Sequence, residues 1–234
     1  RWLLIVILLP ENTGKAQLRN LTAQIDKAAK KLGVAVGGGH SEITPTVTNP
    51  VVITTAMGET SKDKFIRTSG AKPGDYIILT KGAAIEGTAI LASELEKQLE
   101  TKVGKKTLEN AKRFIGMTSV VEDALIAVET AEVHAMHDAT EGGVAGGLQE
   151  IAWASNVGLI AYEEKIPIRK ETTAICNALS IDPLRTIGSG ALLICADPEN
   201  AHKIVVAMDR KGIKASIIGK TSEEEDKIHI VRKN

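Results

Sequence analysis

Residues 142–147 read Gly-Gly-Val-Ala-Gly-Gly, four glycines in six positions, directly after His137-Asp138-Ala139-Thr140-Glu141. Inside a helix each glycine costs about 1 kcal/mol relative to alanine, so the run needs a reason for bare backbone. Val133–Met136 predicts a short strand before it, and the spacing after it predicts a helix from about Glu141 to Ala154. At such a junction the first helical N–H groups lack intrahelical partners and attract anions. Gly142 and Gly143 would let a phosphate approach the backbone beside Thr140, and Asp138 would hold the Mg²⁺ that neutralises it. A plainer role is open too: Asp138 or Thr140 as an N-cap, and the glycine pairs as a seat for close helix packing. No Gly-Lys-Ser/Thr follows, and the spacing is not that of a dinucleotide fingerprint.

Three other segments invite the same question. Val34-Ala35-Val36 predicts a short strand that empties into a turn at Gly37-Gly38-Gly39, followed by His40-Ser41-Glu42. Successive N–H groups of Gly38 and Gly39 would form an anion nest, with His40 and Glu42 as a metal ligand or proton-transfer pair. A tight turn bearing two solvated side chains is the simpler alternative. Lys81-Gly82-Ala83-Ala84-Ile85-Glu86 lies at a strand-to-helix junction where Lys81 would reach a phosphate and Glu86 assist a metal, or where Lys81 is an ordinary surface residue. Gly188-Ser189-Gly190 precedes a buried strand and would either donate backbone hydrogen bonds to a ligand or form a bulge. His134 alternates with apolar neighbours and reads as a satisfied core histidine.

Composition narrows the function classes. Twenty-nine basic residues balance 29 acidic ones in 234 residues, so no global field holds a nucleic acid. Two Trp, two Tyr and two Phe leave few platforms for base stacking. Cys176 and Cys195 lie in apolar stretches, too few and too far apart for a disulfide scaffold, and read as reduced core residues of a cytoplasmic protein. The apolar run Trp2–Leu9 is too short to span a bilayer, for which about 20 residues are needed. It reads as a strand buried on both faces. Small molecules, rather than nucleic acid or membrane, are the expected ligands.

Helical and strand patterns interleave along the chain. Residues 15–32 carry apolar positions three and four apart and stop at Gly33. Pro50–Met57 reads as a strand, and Lys72-Pro73-Gly74-Asp75 as a turn restarting the chain into Tyr76–Thr80. Ile85–Leu99, Leu108–Ile115 and Val121–Ala131 read as helices. Gly190–Ala196, Ala201–Arg210, Ala215–Gly219 and Ile228–Val231 read as strand, helix, strand and strand, the last two joined by the acidic turn Ser222–Asp226. The fold class is α/β (α+β) with a mixed sheet.

Together these segments resemble the AIR synthase-related (PurM-like) superfamily over essentially the whole chain, closest to its HypE-like branch. The most specific stretch is His137-Asp-Ala-Thr-Glu-Gly-Gly-Val-Ala-Gly-Gly-Leu-Gln-Glu-Ile-Ala152. Gly38-Gly39-His40-Ser41-Glu42 is similar to the family's Gly-Gly-Asp/His/Glu-Thr turn, and Pro73-Gly74-Asp75-Tyr-Ile-Ile-Leu79 to the phrase opening its second domain. Ser119-Val-Val-Glu-Asp-Ala-Leu125 and Asp182-Pro183-Leu184 fit the same branch. The resemblance implies residues 1–65 as part of an N-terminal ATP-binding, dimer-barrel domain and residues 66–234 as a C-terminal α/β domain. It also implies ATP- and Mg²⁺-dependent activation of an oxygen by phosphorylation, on a small-molecule or carbamoyl-type acceptor. Asp138 matches the family's metal-binding Asp, Gly142-Gly143 its phosphate-side glycines, and His40 a position held by Asp, His or Glu. Lys81 and Glu86 are weaker correspondences.

A homodimer, and a small-molecule substrate or a maturation-partner protein, follow from the same resemblance. The family's Gly-Asp-Asp-like segment is absent, and the chain starts on a strand without Met, so an N-terminal segment is expected upstream. Val231-Arg-Lys-Asn234 stands where HypE proteins end in a reactive Cys. These departures keep a second reading open, a non-catalytic nucleotide-sensing or assembly subunit of the same fold. Thiamine-monophosphate kinase is disfavoured, because Thr140-Glu141-Gly142 stands where that branch has Asp-Gly after Ser.

Overall fold

The structure, a computed structural model, describes residues 1–62, 64–225 and 227–232. Asp226 of the acidic turn, and Lys233 and Asn234 of the terminal tetrapeptide, lie outside the described residues. The chain divides into two compact units, Arg1–Phe65 and Ile66–Asn234.

In the first unit β1 (Trp2–Leu9) leads through α1 (Lys15–Leu32) to β2 (Ala35–Ile43) and β3 (Val51–Met57). The sheet order is β2-β1-β3, with β1 parallel to β2 and antiparallel to β3. Strand alternation puts Ile5, Ile7 and Leu9 on one face of β1, where Leu18, Leu21 and Ile25 of α1 cover them. Gly33, at φ 62°, ends α1 in the left-handed conformation that a Cβ would oppose.

Two expectations are corrected here. β1 is not buried on both faces: α1 covers one side only, and Trp2 and Leu4 on the other remain 43% and 40% exposed. The glycine run is not a turn, because Gly37–Gly39 lie inside the nine-residue strand β2. Gly37 absorbs a register shift against β1, whose Leu3 pairs with Val36 and Leu4 with Gly38. Gly39, at φ 147°, passes so close to the Ile5 carbonyl that any Cβ would collide with it. A ladder partner along the whole of β1 thus carried the chain through residues that locally favour a turn.

The second unit runs β4 (Tyr76–Thr80), α2 (Ile85–Glu94), α3 (Glu96–Val103), α4 (Lys105–Lys112), α5 (Val121–Thr130) and β5 (Ala135–Asp138). It continues with α6 (Gly143–Ser155), β6 (Gly158–Tyr162), α7 (Lys170–Leu179), β7 (Leu192–Ala196), α8 (Pro198–Arg210), β8 (Ala215–Ser222) and β9 (Ile228–Val231). Among the described residues its six strands are ordered β5-β7-β4-β8-β6-β9, antiparallel except for the parallel β6–β9 pair. The sequence pattern does not announce β6 or α7. Inserted β6 separates β8 from β9, although an acidic turn joins those two in sequence. The helix expected over Ile85–Leu99 breaks at Leu95 into α2 and α3.

Both faces of this sheet are buried. Ile77, Leu79, Leu193 and Ile218 pack under Leu148 and Ile151 of α6. Ile78, Ile194 and Leu192 pack on the opposite face with Ile126 of α5 and Ile204 and Met208 of α8. Each fully buried aliphatic side chain contributes about 1.5–3 kcal/mol, which explains why β4 reads as an unbroken apolar run. Cys176 and Cys195 are buried and free, and burial pushes both thiols up. Among the described residues no helix is long and apolar enough to cross a membrane.

Polar contacts pin the ends of the elements. Asp75, buried, accepts from the Lys72 N–H at 2.8 Å and pairs with His134 Nδ1 at 2.8 Å, so His134 is satisfied where the chain enters β4. Arg232, after β9, donates to Asp182 at 2.5 Å and Glu163 at 2.9 Å. Burial pushes the Asp182 carboxyl up, but hydrogen bonds from Arg232 and the Leu184 N–H, with the charges of Arg232 and Arg185, hold it below the usual carboxylate range.

A lowered folded-state pKa stabilises above the unfolded value, about pH 4, and that stabilisation is lost as pH falls through the folded value. Solvent screening of this part-exposed pair keeps it to about 1 kcal/mol or less. Urea midpoints should therefore show Arg232→Gln below wild type at neutral pH, with the two converging in acid. A gap that persists unchanged through the acid range would contradict this.

Candidate functional site

Three of the glycine-marked segments meet at one edge of the six-stranded sheet. β4 and β5 end there at Thr80 and Asp138, and the antiparallel β7 and β8 begin there at Leu192 and Ala215. Segment 184–190 lies among them. A Cβ on Gly143 would stand 2.6 Å from the Thr186 carbonyl oxygen and 2.7 Å from that of Leu184. One on Gly188 would stand 2.7 Å from the Ala139 oxygen, and one on Gly87 2.8 Å from the Ile187 oxygen. Real Cβ atoms do not occupy such positions, so these glycines are what allows the segments to touch backbone to backbone.

That packing decides which parts of the motif face outward. Gly143 is buried, and its N–H donates to the Thr140 carbonyl at 3.1 Å. The Ala145 N–H donates to the Leu184 carbonyl at 2.9 Å. Two of the first helical amides expected to face a phosphate are thus bonded to protein carbonyls. Glu141 and Gly142, the latter at φ 74°, form an exposed turn, with Thr140 half-buried and the Asp138 residue exposed beside it. His137 points elsewhere, Nε2 to Glu150 at 2.5 Å and Nδ1 to Thr68 Oγ1 at 3.3 Å. The Gly188 N–H donates to the Thr140 carbonyl, so the Gly188-Ser189-Gly190 segment braces the motif.

Lys81 does not extend toward an open site. Its Nζ donates to Asp123 Oδ2 at 2.9 Å and to the Ser119 carbonyl at 2.8 Å, and the side chains are 10% and 2% exposed. The backbone around it is strained: Lys81 and Ala84 take φ of 59° and 55° with Gly82 between them. Left-handed non-glycine residues cost about 1–2 kcal/mol each. The loop is held by Lys81 N–H to the Lys214 carbonyl and Ala83 N–H to the Pro167 carbonyl. Asp123, 42 residues away in sequence, had no local signal to mark it as the partner of Lys81.

Glu86 Oε2 and Asp123 Oδ1 are buried and have no hydrogen-bond partner among the described residues. Both atoms are acceptors, so they suit a cation or a donor and oppose a phosphate. Among the described residues no three His, Cys, Asp or Glu side chains converge as a metal cluster. A single exposed carboxylate such as that of Asp138 is compatible with Mg²⁺, which takes one or two carboxylates and completes its shell with phosphates and water.

In the first unit Gly38, Gly39 and His40 line a pocket of about 370 Å³ between α1 and the sheet, with Ile5, Ile25 and Asp26. His40 Nε2 and Glu42 Oε2 are 3.7 Å apart on exposed side chains. Residues 40 and 42 share one face of β2 because strand side chains alternate.

Two variants test the packing. Gly143→Ala should destabilise more than Gly212→Ala: both positions have a left-handed φ, 62° and 77°, costing about 1–2 kcal/mol, but only Gly143 also meets carbonyl oxygens, whereas no described atom lies within 4 Å of a Cβ at Gly212. Equal losses in unfolding free energy would show that the contact with segment 184–190 carries no weight. Asp123→Ala should cost about 3–5 kcal/mol by stranding the Lys81 charge, and Lys81→Met with Asp123→Leu should recover most of it. An Asp123→Ala variant as stable as wild type would mean the pair does not hold the loop.

A family model described as "AIR synthase related protein, C-terminal domain" matches residues 72–232. A protein of Methanocaldococcus jannaschii named for hydrogenase expression/formation is 29% identical over 220 residues, 93% of this chain and 63% of that protein. Carbamoyl dehydratase HypE of Rhizobium leguminosarum is 27% identical over 216 residues, 91% of this chain and 59% of that protein. A solved structure of the hydrogenase maturation protein HypE in complex with ATP superposes with a TM-score of 0.75 at 24% identity, over 95% of this chain and 65% of that one. At that identity the superposition shows the fold, a mixed α/β PurM-like architecture. The chain spans about six-tenths of the length of the curated relatives it matches. With the family match running through nearly all of its second unit, the chain belongs to the AIR synthase-related family and resembles that family's HypE-like branch.

Proposed function

We propose that the protein uses ATP and Mg²⁺ to phosphorylate an oxygen of a carbamoyl-type acceptor in hydrogenase maturation. The observation that carries this reading is the Asp138–Gly142 turn, exposed at Asp138, Glu141 and Gly142 and held in place by glycine backbone at the meeting of three loops. Relatives named carbamoyl dehydratase HypE, aligned over most of the chain, supply the reaction class. Residues 1–65 form the ATP-binding, dimer-barrel part and residues 66–234 the α/β part.

When bound, Mg²⁺ supplies Lewis-acid stabilisation of phosphoryl charge. Asp138 holds it; Thr140 and Gly142 orient the phosphate, with the bare backbone of Gly142 allowing close approach. Gly143 acts by seating α6 against segment 184–190. Lys81 acts by fixing the strained loop beside Glu86 rather than by touching phosphate. In the first unit Gly38 and Gly39 bring bare backbone to the pocket beside α1, and His40 with Glu42 is the proton-transfer pair there. The open apolar face of β1 and β3, bearing Trp2, Leu4, Ile53 and Met57, supports a second copy as the dimer partner. A maturation-partner protein supplies the acceptor.

The test uses the natural protein that carries this chain. Phosphate release from ATP and Mg²⁺ with a carbamoyl-type acceptor should fall about a hundredfold or more in Asp138→Asn, with the fold retained by circular dichroism. Unchanged turnover in that variant would overturn the assignment. ATP binding by calorimetry without phosphate release would favour the nucleotide-sensing subunit instead.

A further inference from the structure

The chain has only two tyrosines, and both lie in one pocket. Tyr76 begins β4 and Tyr162 ends β6, and together with Lys165, His202, Ile217, Gly219 and Lys220 they line a cavity of about 450 Å³. That volume lies within the range of small-molecule sites. The Tyr76 ring meets the His202 ring edge-on, with centroids 5.8 Å apart at 76°. On the other wall, Lys165 Nζ stands 4.8 Å from the centroid of the Tyr162 ring. Ile217 and Gly219 form the apolar part, and Lys220 adds a second cation.

Among the described residues, none that lines the pocket is acidic. Glu163, two residues before Lys165, is engaged by Arg232. The pocket lies apart from the candidate site, because Tyr76 pairs with Lys220 at one end of the β4–β8 ladder and Thr80 pairs with Ala215 at the other.

We infer that this pocket binds a small planar anion, an aromatic or heteroaromatic ring carrying a phosphate. The two tyrosines and His202 offer ring faces and edges to the planar part. Lys165 and Lys220 offer charge-assisted hydrogen bonds to the phosphate. Neither feature alone selects the ligand; the combination of a flat ring with a negative group does.

Phenyl phosphate is the probe, with phenol and inorganic phosphate as its separate halves, added to the natural protein that carries this chain, labelled at the tyrosine rings with ¹³C. Tyr76→Phe and Tyr162→Phe assign the two signals that belong to this pocket. Phenyl phosphate should shift both signals at concentrations where phenol and inorganic phosphate shift neither. Lys165→Gln, an exposed position, should weaken phenyl phosphate about tenfold, the size expected for one charge-assisted hydrogen bond. Asp138→Asn should leave that affinity unchanged, which separates this pocket from the nucleotide site proposed above. Absence of any shift, equal shifts from either half, or unaltered affinity in Lys165→Gln would each overturn the inference.

Discussion

The second unit depends on backbone touching backbone. Segment 184–190 approaches the Asp138–Gly143 loop, the loop after β4 and the start of α2 at distances that leave no room for a Cβ on Gly143, Gly188 or Gly87. Short polar contacts, such as Gly188 N–H to the Thr140 carbonyl, become available only at that separation. Dispersion and hydrogen bonding both fall off steeply with distance, so a single methyl group at these points would push apart the loops that position Asp138. The glycines are costly in α6 by helix propensity, and the contacts they permit offset that cost.

A second constraint is the buried Lys81–Asp123 pair. Taking both charges out of water is expensive, and breaking one partner is worse than never having buried either. The pair makes sense where a loop has to hold two left-handed non-glycine residues, Lys81 and Ala84, against their local preference. Lysine at a strand-to-helix junction thus serves the shape of the edge. Phosphate chemistry, in the function proposed here, falls to the exposed turn next to it.

Much of this was legible along the chain. The 3.6-residue period of residues 15–32, the turn at Pro73-Gly74-Asp75 and the glycine run after Asp138 each named an element that the structure contains. Legibility failed where a partner in space outweighed local preference. Gly37–Gly39 look like a turn in isolation, but β1 supplies a ladder that makes them strand. β6 is a five-residue strand containing Gly158 and Ala161, too short and too weakly patterned to stand out, yet it divides β8 from β9. The charge on Lys81 was visible; the acid that neutralises it arrives on a helix distant in sequence.

The sequence by itself determined the fold class, the places where backbone had to be bare, and the family resemblance, because periodicity, glycine and short motifs are local properties of the chain. Only the tertiary structure decided which glycines seat a helix and which stay open, that Lys81 is paired, and that the two tyrosines share one pocket. Those outcomes depend on distances between segments remote in sequence, and whether a Cβ would stand 2.6 Å from a carbonyl oxygen or have nothing within 4 Å has no signature in local composition.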